Sequence, residues 1–136
     1  MPTIAFLANL STAEHKRRWD LLTKHAGDGV NVVVADPTGS PGEVIEALKD
    51  ADAVVPWLAS IPLDIAEQLP KLKLVQLLTA GYDALDVIGL GKLGISVANN
   101  GGSNAISVSE HAMSLMLSVY RRMTEAWSNT IDGKWR

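Results

Sequence analysis

Val30-Asn31-Val32-Val33-Val34-Ala35 stands between Gly27-Asp28-Gly29 and Asp36-Pro37. A β-branched run of this length, bounded by turn residues on both sides, reads as a strand buried on both faces. Upstream, Thr3–Ala8 (TIAFLA) reads the same way. Between the two lies a helical stretch with Ser11 or Thr12 as its cap, running to about Ala26 and carrying Trp19, Leu21 and Leu22 on its apolar side. Downstream, Ser40-Pro41 is a cap followed by proline at the first helical position, and the helix it opens runs to about Lys49. The alternation then repeats. Ala53–Trp57 is a strand and Pro62–Leu69 a short helix; Leu72–Leu78 is a strand, Asp83–Leu90 a helical turn or two and Ile95–Ala98 a fifth strand. A long helix is expected from Ala105 to Trp127.

Strands joined by helical crossovers imply a parallel sheet with helices on both faces. Five such units suit an α/β, flavodoxin-like, doubly wound sheet of order 2-1-3-4-5. Length and composition agree. The chain has 136 residues, 47% apolar and 20% charged, which is one domain of ordinary make-up and excludes wholesale disorder. Twelve Lys+Arg against fifteen Asp+Glu leave a charge of −3, which argues against a nucleic-acid partner. No apolar run approaches the ~20 residues that span a bilayer, so no membrane partner is expected. No secretory signal is read at MPTIAFLANL, and the cytoplasm is the expected compartment. The absence of cysteine excludes disulfides, thiolate chemistry and Cys-based metal sites.

In such sheets ligands bind at the carboxyl ends of the strands, near the point where strand order reverses. After the fourth strand comes Leu78-Thr79-Ala80-Gly81-Tyr82-Asp83, whose small residues let backbone N–H groups approach an anion such as a carboxylate. A plain strand-to-helix turn that needs glycine for its geometry explains the same residues. After the fifth strand comes Asn99-Asn100-Gly101-Gly102-Ser103-Asn104, leading into the long helix, whose N-terminus also favours anions. Ser103 or Asn104 is the expected cap; the Asn104 amide could instead bond a substrate oxygen. Gly89-Leu90-Gly91-Lys92-Leu93-Gly94 spells G-x-G-x-x-G, yet a dinucleotide fingerprint follows a strand and opens a helix. Here helix precedes and strand follows, so the stretch reads as a helix-to-strand turn. His15 and His25 read as solvated, and His111 beside Glu110 lacks a third ligand, so no metal site is expected. A phosphoacceptor receiver domain, which needs clustered acids after the first strand, is rejected because Ala8-Asn9 stands there.

The long helix carries its own signal. Ser107, Glu110, His111, Ser114, Ser118, Arg121 and Arg122 fill one arc of roughly 120°. Apolar residues from Ile106 to Met123 take the remaining arc of about 200°, interrupted by Ser109. A helix of that kind is built to be covered on two sides, so another domain or another copy is expected against it. Self-association as a homodimer, through exchange of the 105–123 helix, follows.

Thr79-Ala80-Gly81-Tyr82-Asp83, Gly94-Ile95, Ser103-Asn104-Ala105-Ile106-Ser107-Val108-Ser109-Glu110-His111, Arg121-Arg122 and Gly133-Lys134-Trp135 together resemble the N-terminal part of the D-isomer-specific 2-hydroxyacid dehydrogenases, the family that includes formate dehydrogenase. The likeness is specific from about Leu72 to Arg136 and architectural before that. It implies a substrate-binding domain over 1–103, with 104–136 as an interdomain helix and tail leading to an NAD(P)-binding Rossmann domain. It implies that the backbone at Thr79, Ala80 and Gly81 holds the carboxylate of a small 2-hydroxy or 2-oxo acid, with Tyr82 beside it. Asn104 would help position substrate, and Val108 would lie near the nicotinamide of NAD or NADP. The family's cofactor fingerprint and its catalytic Arg, Glu and His lie beyond the tryptophan matching Trp135, so no catalytic residue, bound cofactor or turnover is expected of these 136 residues alone. Ser109 departs from the alanine usual there. The alternative is a self-standing or engineered flavodoxin-like binding or scaffold module without catalysis.

Overall fold

A computed structural model describes residues 1–57 and 61–134 and divides the chain into two compact units, Met1–Gly101 and Gly102–Arg136. The first unit holds five strands: β1 (Thr3–Leu7), β2 (Asn31–Ala35), β3 (Ala53–Pro56), β4 (Leu74–Gln76) and β5 (Ser96–Ala98). All pair in parallel, in the expected order β2-β1-β3-β4-β5. Between them run α1 (Ala13–His25), α2 (Pro41–Leu48), α3 (Leu63–Ala66) and α4 (Val87–Lys92).

The caps fall where short polar side chains can take helix N–H groups. Thr12 Oγ1 accepts from His15 N at 3.2 Å. Ser40 and Glu43 form a reciprocal capping box with Pro41 in the first turn. Asp86, three residues after the expected start at Asp83, caps α4 by accepting from Gly89 N at 2.8 Å. The later start follows from Leu85, which is buried and closes a turn onto the Tyr82 carbonyl. Strand β4 is shorter than Leu72–Leu78 because Leu72 N bonds the Leu69 carbonyl instead of a neighbouring strand.

Successive strand residues face opposite sides of the sheet. Ala5, Leu7, Val54 and Val75 point to one side, where Val44 and Leu48 of α2, Ala66 of α3 and Leu90 of α4 complete the main core. Fully burying side chains such as Leu48 and Leu90 is worth about 1.5–3 kcal/mol each. Phe6, Ala8 and Val55 face the other side and meet Trp19 and Leu22 of α1. Helix α1 has no buried residue, and Leu21, expected on its apolar side, is exposed.

In the second unit, the helix expected to reach Trp127 is two helices, α5 (Ala105–Tyr120) and α6 (Met123–Ile131). Arg122 between them adopts the left-handed conformation at φ 49°, which costs a non-glycine residue on the order of 1 kcal/mol. The paired Arg121 and Arg122 carry positive charge at the end of α5, where the helix dipole favours it. Arg122 also lies 3.7 Å from Glu125 in the first turn of α6. No residue of α5 or α6 is buried, and Ile106, Val119 and Tyr120 are more than 70% exposed. Trp135, which closes the family-like stretch, lies outside the described residues.

Candidate functional site

The loops after β4 and β5 are tied to each other. Leu77 N donates to the Ala98 carbonyl at 2.8 Å, and Asn100 N donates to the Thr79 carbonyl at 3.0 Å, extending the β4–β5 pairing past the strand ends. The Asn99 side-chain amide donates to the Ala80 carbonyl at 2.7 Å. The Asn100 amide reaches the Leu78 carbonyl at 3.5 Å. Thr79 Oγ1 donates to the Gly81 carbonyl at 2.8 Å. The carbonyls of Leu78, Thr79, Ala80 and Gly81 are thus all engaged. Among the described residues, the N–H groups of Ala80 and Gly81 meet no acceptor. Such a loop presents donors and withholds acceptors, which is what an anion requires.

Gly81 does not take a positive φ, so this turn needs no glycine for its backbone geometry. A Cβ there would meet only Asp83 Oδ2, at 3.6 Å. What glycine supplies is clearance over the amides. Tyr82 is 55% exposed at the loop's edge. Asn99 and Asn100 were not among the residues singled out from sequence; the signal was there, as two adjacent amides directly after a strand.

A second cluster occupies the carboxyl ends of β1 and β3, where the strand order reverses. Trp57 N donates to the Leu7 carbonyl at 3.0 Å. The Arg18 guanidinium lies 4.1 Å from the Trp57 ring centroid, and the His15 ring meets the same indole edge-on at 5.2 Å. His15 is not simply solvated: it is half-buried, and its Nδ1 bonds the Asn9 carbonyl. Asn9 Nδ2 in turn donates to Asp36 at 2.9 Å. Asp36 also accepts from Thr38 N and Oγ1 at 2.9 and 2.7 Å, which hold its carboxyl below the usual aspartate range.

Asn104 and Val108 belong to the second unit. Asn104 stands at the cap position of α5, yet its side chain makes no capping bond, so the expected cap role is filled by position alone. Val108 is 56% exposed. Gly89 and Gly91 lie inside α4 rather than in a turn after it. A Cβ on Gly89 would come within 2.4 Å of Leu63 Cδ1, so that glycine serves helix packing. Among the described residues no group of three or more His, Asp or Glu could hold a metal ion. Among the described residues no helix is long and apolar enough to cross a membrane.

The family profile of the D-isomer specific 2-hydroxyacid dehydrogenase catalytic domain matches residues 5–133. The chain belongs to that family. It is 36% identical over 94 residues to a glyoxylate reductase of Korarchaeum cryptofilum, covering 68% of this chain and 28% of the relative. It is 27% identical over 135 residues to a glyoxylate/hydroxypyruvate reductase B of Yersinia pestis, covering 99% of this chain and 40% of the relative. Among solved structures, an NAD-dependent formate dehydrogenase from Staphylococcus aureus in complex with NAD superposes with a TM-score of 0.68 at 23% identity. That superposition covers 100% of this chain and 43% of the other and shows a shared fold. The chain thus spans well under half the length of each of these proteins.

Proposed function

We propose that the first unit is the substrate-binding part of an NAD(P)-dependent oxidoreductase acting on the CH–OH group of D-2-hydroxy acids. The observation that carries the reading is the Thr79–Gly81 loop, with its carbonyls engaged and two amides open. A carboxylate seated there accepts from Ala80 N and Gly81 N, each a charge-assisted bond, with Tyr82 beside it. In the second unit, the family resemblance alone assigns Asn104 to a substrate oxygen and Val108 to the nicotinamide's neighbourhood. Glyoxylate and hydroxypyruvate, in the names of the relatives, are the first acids to try.

The described residues do not themselves fit a dinucleotide. The one glycine-rich fingerprint is folded into α4, and Gly89 is packed against Leu63. The chain's own contribution is therefore to hold and orient the acid, which is the positioning share of catalysis. The 136-residue chain alone turns nothing over and retains no NAD or NADP. The cytoplasm is its compartment, and the uncovered 105–123 stretch supports homodimer formation by exchange of that segment. Formate dehydrogenase-like and reductase-like members differ in substrate, and the sequence of the cradle leaves the acid itself open.

Titration of oxalate or pyruvate into the ¹⁵N-labelled chain tests the reading. The Ala80 and Gly81 amide resonances should move saturably, with a Kd of about 1 mM, as two exposed charge-assisted bonds warrant. Chloride at equal ionic strength gives the baseline. Shifts no larger than that baseline at 20 mM acid would defeat the proposal.

A further inference from the structure

We infer that Asn99 is a positioning residue of the carboxylate cradle, aiming and polarising the Gly81 amide through the peptide unit that Gly81 N shares with the Ala80 carbonyl; the inference rests on the carboxylate reading above. A peptide carbonyl and the N–H of the next residue form one planar group. The two open donors therefore belong to two such units, Thr79–Ala80 and Ala80–Gly81. The carbonyl of each is bonded from the loop after β5. Asn100 N donates to the Thr79 carbonyl at 3.0 Å, and Asn99 Nδ2 donates to the Ala80 carbonyl at 2.7 Å.

In a trans peptide the N–H points away from the C=O. With the carbonyl pinned toward β5, the N–H is aimed to the opposite side and turns away only if the bond breaks. A carbonyl that accepts a bond also makes its own N–H the stronger donor, by about 10–30% per bond. The Thr79–Ala80 unit receives this from main chain, which a substitution leaves in place. The Ala80–Gly81 unit receives it from one side chain, so a single residue governs the Gly81 donor. The residue type fits the task. The side chain must donate and must stay uncharged beside an anion, which aspartate does not, and alanine has nothing to donate. Gly101 flanks the amide so closely that a Cβ there would meet Asn99 Oδ1 at 3.4 Å. Asn100 offers a contrast. Its side-chain amide reaches the Leu78 carbonyl at 3.5 Å, and that carbonyl shares its peptide unit with Thr79 N, outside the cradle. The Asp83 carboxylate stands near Gly81, where a Cβ would meet Oδ2 at 3.6 Å, and is common to every variant below.

The test titrates pyruvate into the ¹⁵N-labelled chain and into Asn99→Ala, Asn100→Ala and Asn99→Asp, reading the Gly81 amide. Asn99→Ala should weaken binding by about three- to tenfold, the worth of one modest hydrogen bond. Asn100→Ala, which keeps its main-chain bond to Thr79, should weaken it less. Both side chains are exposed, so both variants should hold the urea midpoint of the unsubstituted chain. Asn99→Asp adds a pH signature that a merely structural role would not produce. At pH 7 it should bind pyruvate more weakly than Asn99→Ala, because a carboxylate then faces the Ala80 carbonyl. As pH falls to about 4, where aspartate protonates, its O–H donates to that carbonyl, and its affinity should rise past that of Asn99→Ala at the same pH. Losing charge alone would only bring it level. Equal losses in Asn99→Ala and Asn100→Ala, no loss in Asn99→Ala, or an Asn99→Asp that never passes Asn99→Ala overturns the inference. If the Asn99 variants do not fold, the unsubstituted chain still decides. There the Asn99 side-chain amide resonances should move with Gly81 at one Kd, and resonances that stay still overturn the inference equally. Pyruvate failing to move Gly81 in the unsubstituted chain is a different outcome, which removes the carboxylate reading and the role of Asn99 with it.

Discussion

Helices α2 and α5 are of similar overall hydropathy, yet α2 buries Val44 and Leu48 while α5 buries nothing. The difference lies in how the apolar residues are distributed. In α2 they fall on one face, which the core covers down to 0% exposure at Leu48, with Ile45 at its edge half-buried. In α5 they spread over most of the circumference, more than any single neighbour could hide. Eleven large apolar side chains of the second unit, from Ile106 to Ile131, are more than half exposed. Contiguous apolar patches on soluble monomers seldom exceed a few hundred Å². Periodicity reports a cover supplied within the unit, and its absence in an apolar helix reports a demand that the helix's own turn of sequence does not meet.

The contrast should appear in stability. Leu90→Ala removes a fully buried side chain from the main core and should cost about 2–5 kcal/mol in urea unfolding of the first unit. Leu117→Gln in α5, where the residue is 58% exposed, should change that unfolding by less than about 0.5 kcal/mol. It should instead lower the sedimentation coefficient at tens of micromolar by weakening self-association. Equal losses of unfolding free energy in the two variants would erase the distinction between the regions.

The same comparison can be made within three residues of α4. Gly89 and Gly91 are both helical, but an added Cβ at 89 would sit 2.4 and 2.8 Å from the two methyls of Leu63, whereas one at 91 meets nothing within 4 Å. Gly89→Ala should therefore destabilise by about 1–3 kcal/mol through overpacking. Gly91→Ala should stabilise by up to about 1 kcal/mol, since alanine is the better helix former. Opposite signs in thermal melts check the packing role given to Gly89. A stabilising Gly89→Ala would show that Leu63 moves aside freely and that the glycine has some other reason to be there.

What could be read beforehand follows the physics of each feature. The sheet order was legible because strands carry near-continuous apolar runs such as Val32–Ala35 and are separated by capped, one-sided helices, a combination that admits few topologies. The Thr79–Gly81 loop was legible as small residues at a strand end. That its carbonyls are tied off by Asn99 and Asn100 was not, because the bonds join residues 19 and 22 positions apart. Nor was the clamp on Trp57, where His15 looked solvated until β1 and β3 were set side by side. The break at Arg121-Arg122 was missed because nothing there is a helix breaker by composition; only a left-handed arginine marks it. Local chemistry announces itself locally, while pairings made by topology need the topology first.

The smallest effect expected separates the two ends of the same strand layer. Asp36, at the carboxyl end of β2, has its pKa lowered by bonds from the Thr38 backbone and hydroxyl. Asp52, at the opposite end, takes the Thr3 amide at 2.9 Å. A carboxyl whose folded pKa lies below its unfolded value adds stability that is fully present above the unfolded value, near 4. That stability is lost as pH falls through the folded value. Thr38→Val removes the hydroxyl donor but leaves the backbone one, so it should flatten part of the decline in stability between about pH 4 and pH 2 while changing little at pH 7 beyond the lost bond. Asp36→Asn should flatten it further, and should also cut the Asn9 link that steadies the β1 loop beneath His15. Urea midpoints of the three proteins at pH 7, 4 and 2.5 measure this. A slope that is identical in all three would mean that Asp36 titrates alike in the folded and unfolded chains, and that the Asn9–Asp36–Thr38 network holds the strand ends by geometry without help from charge.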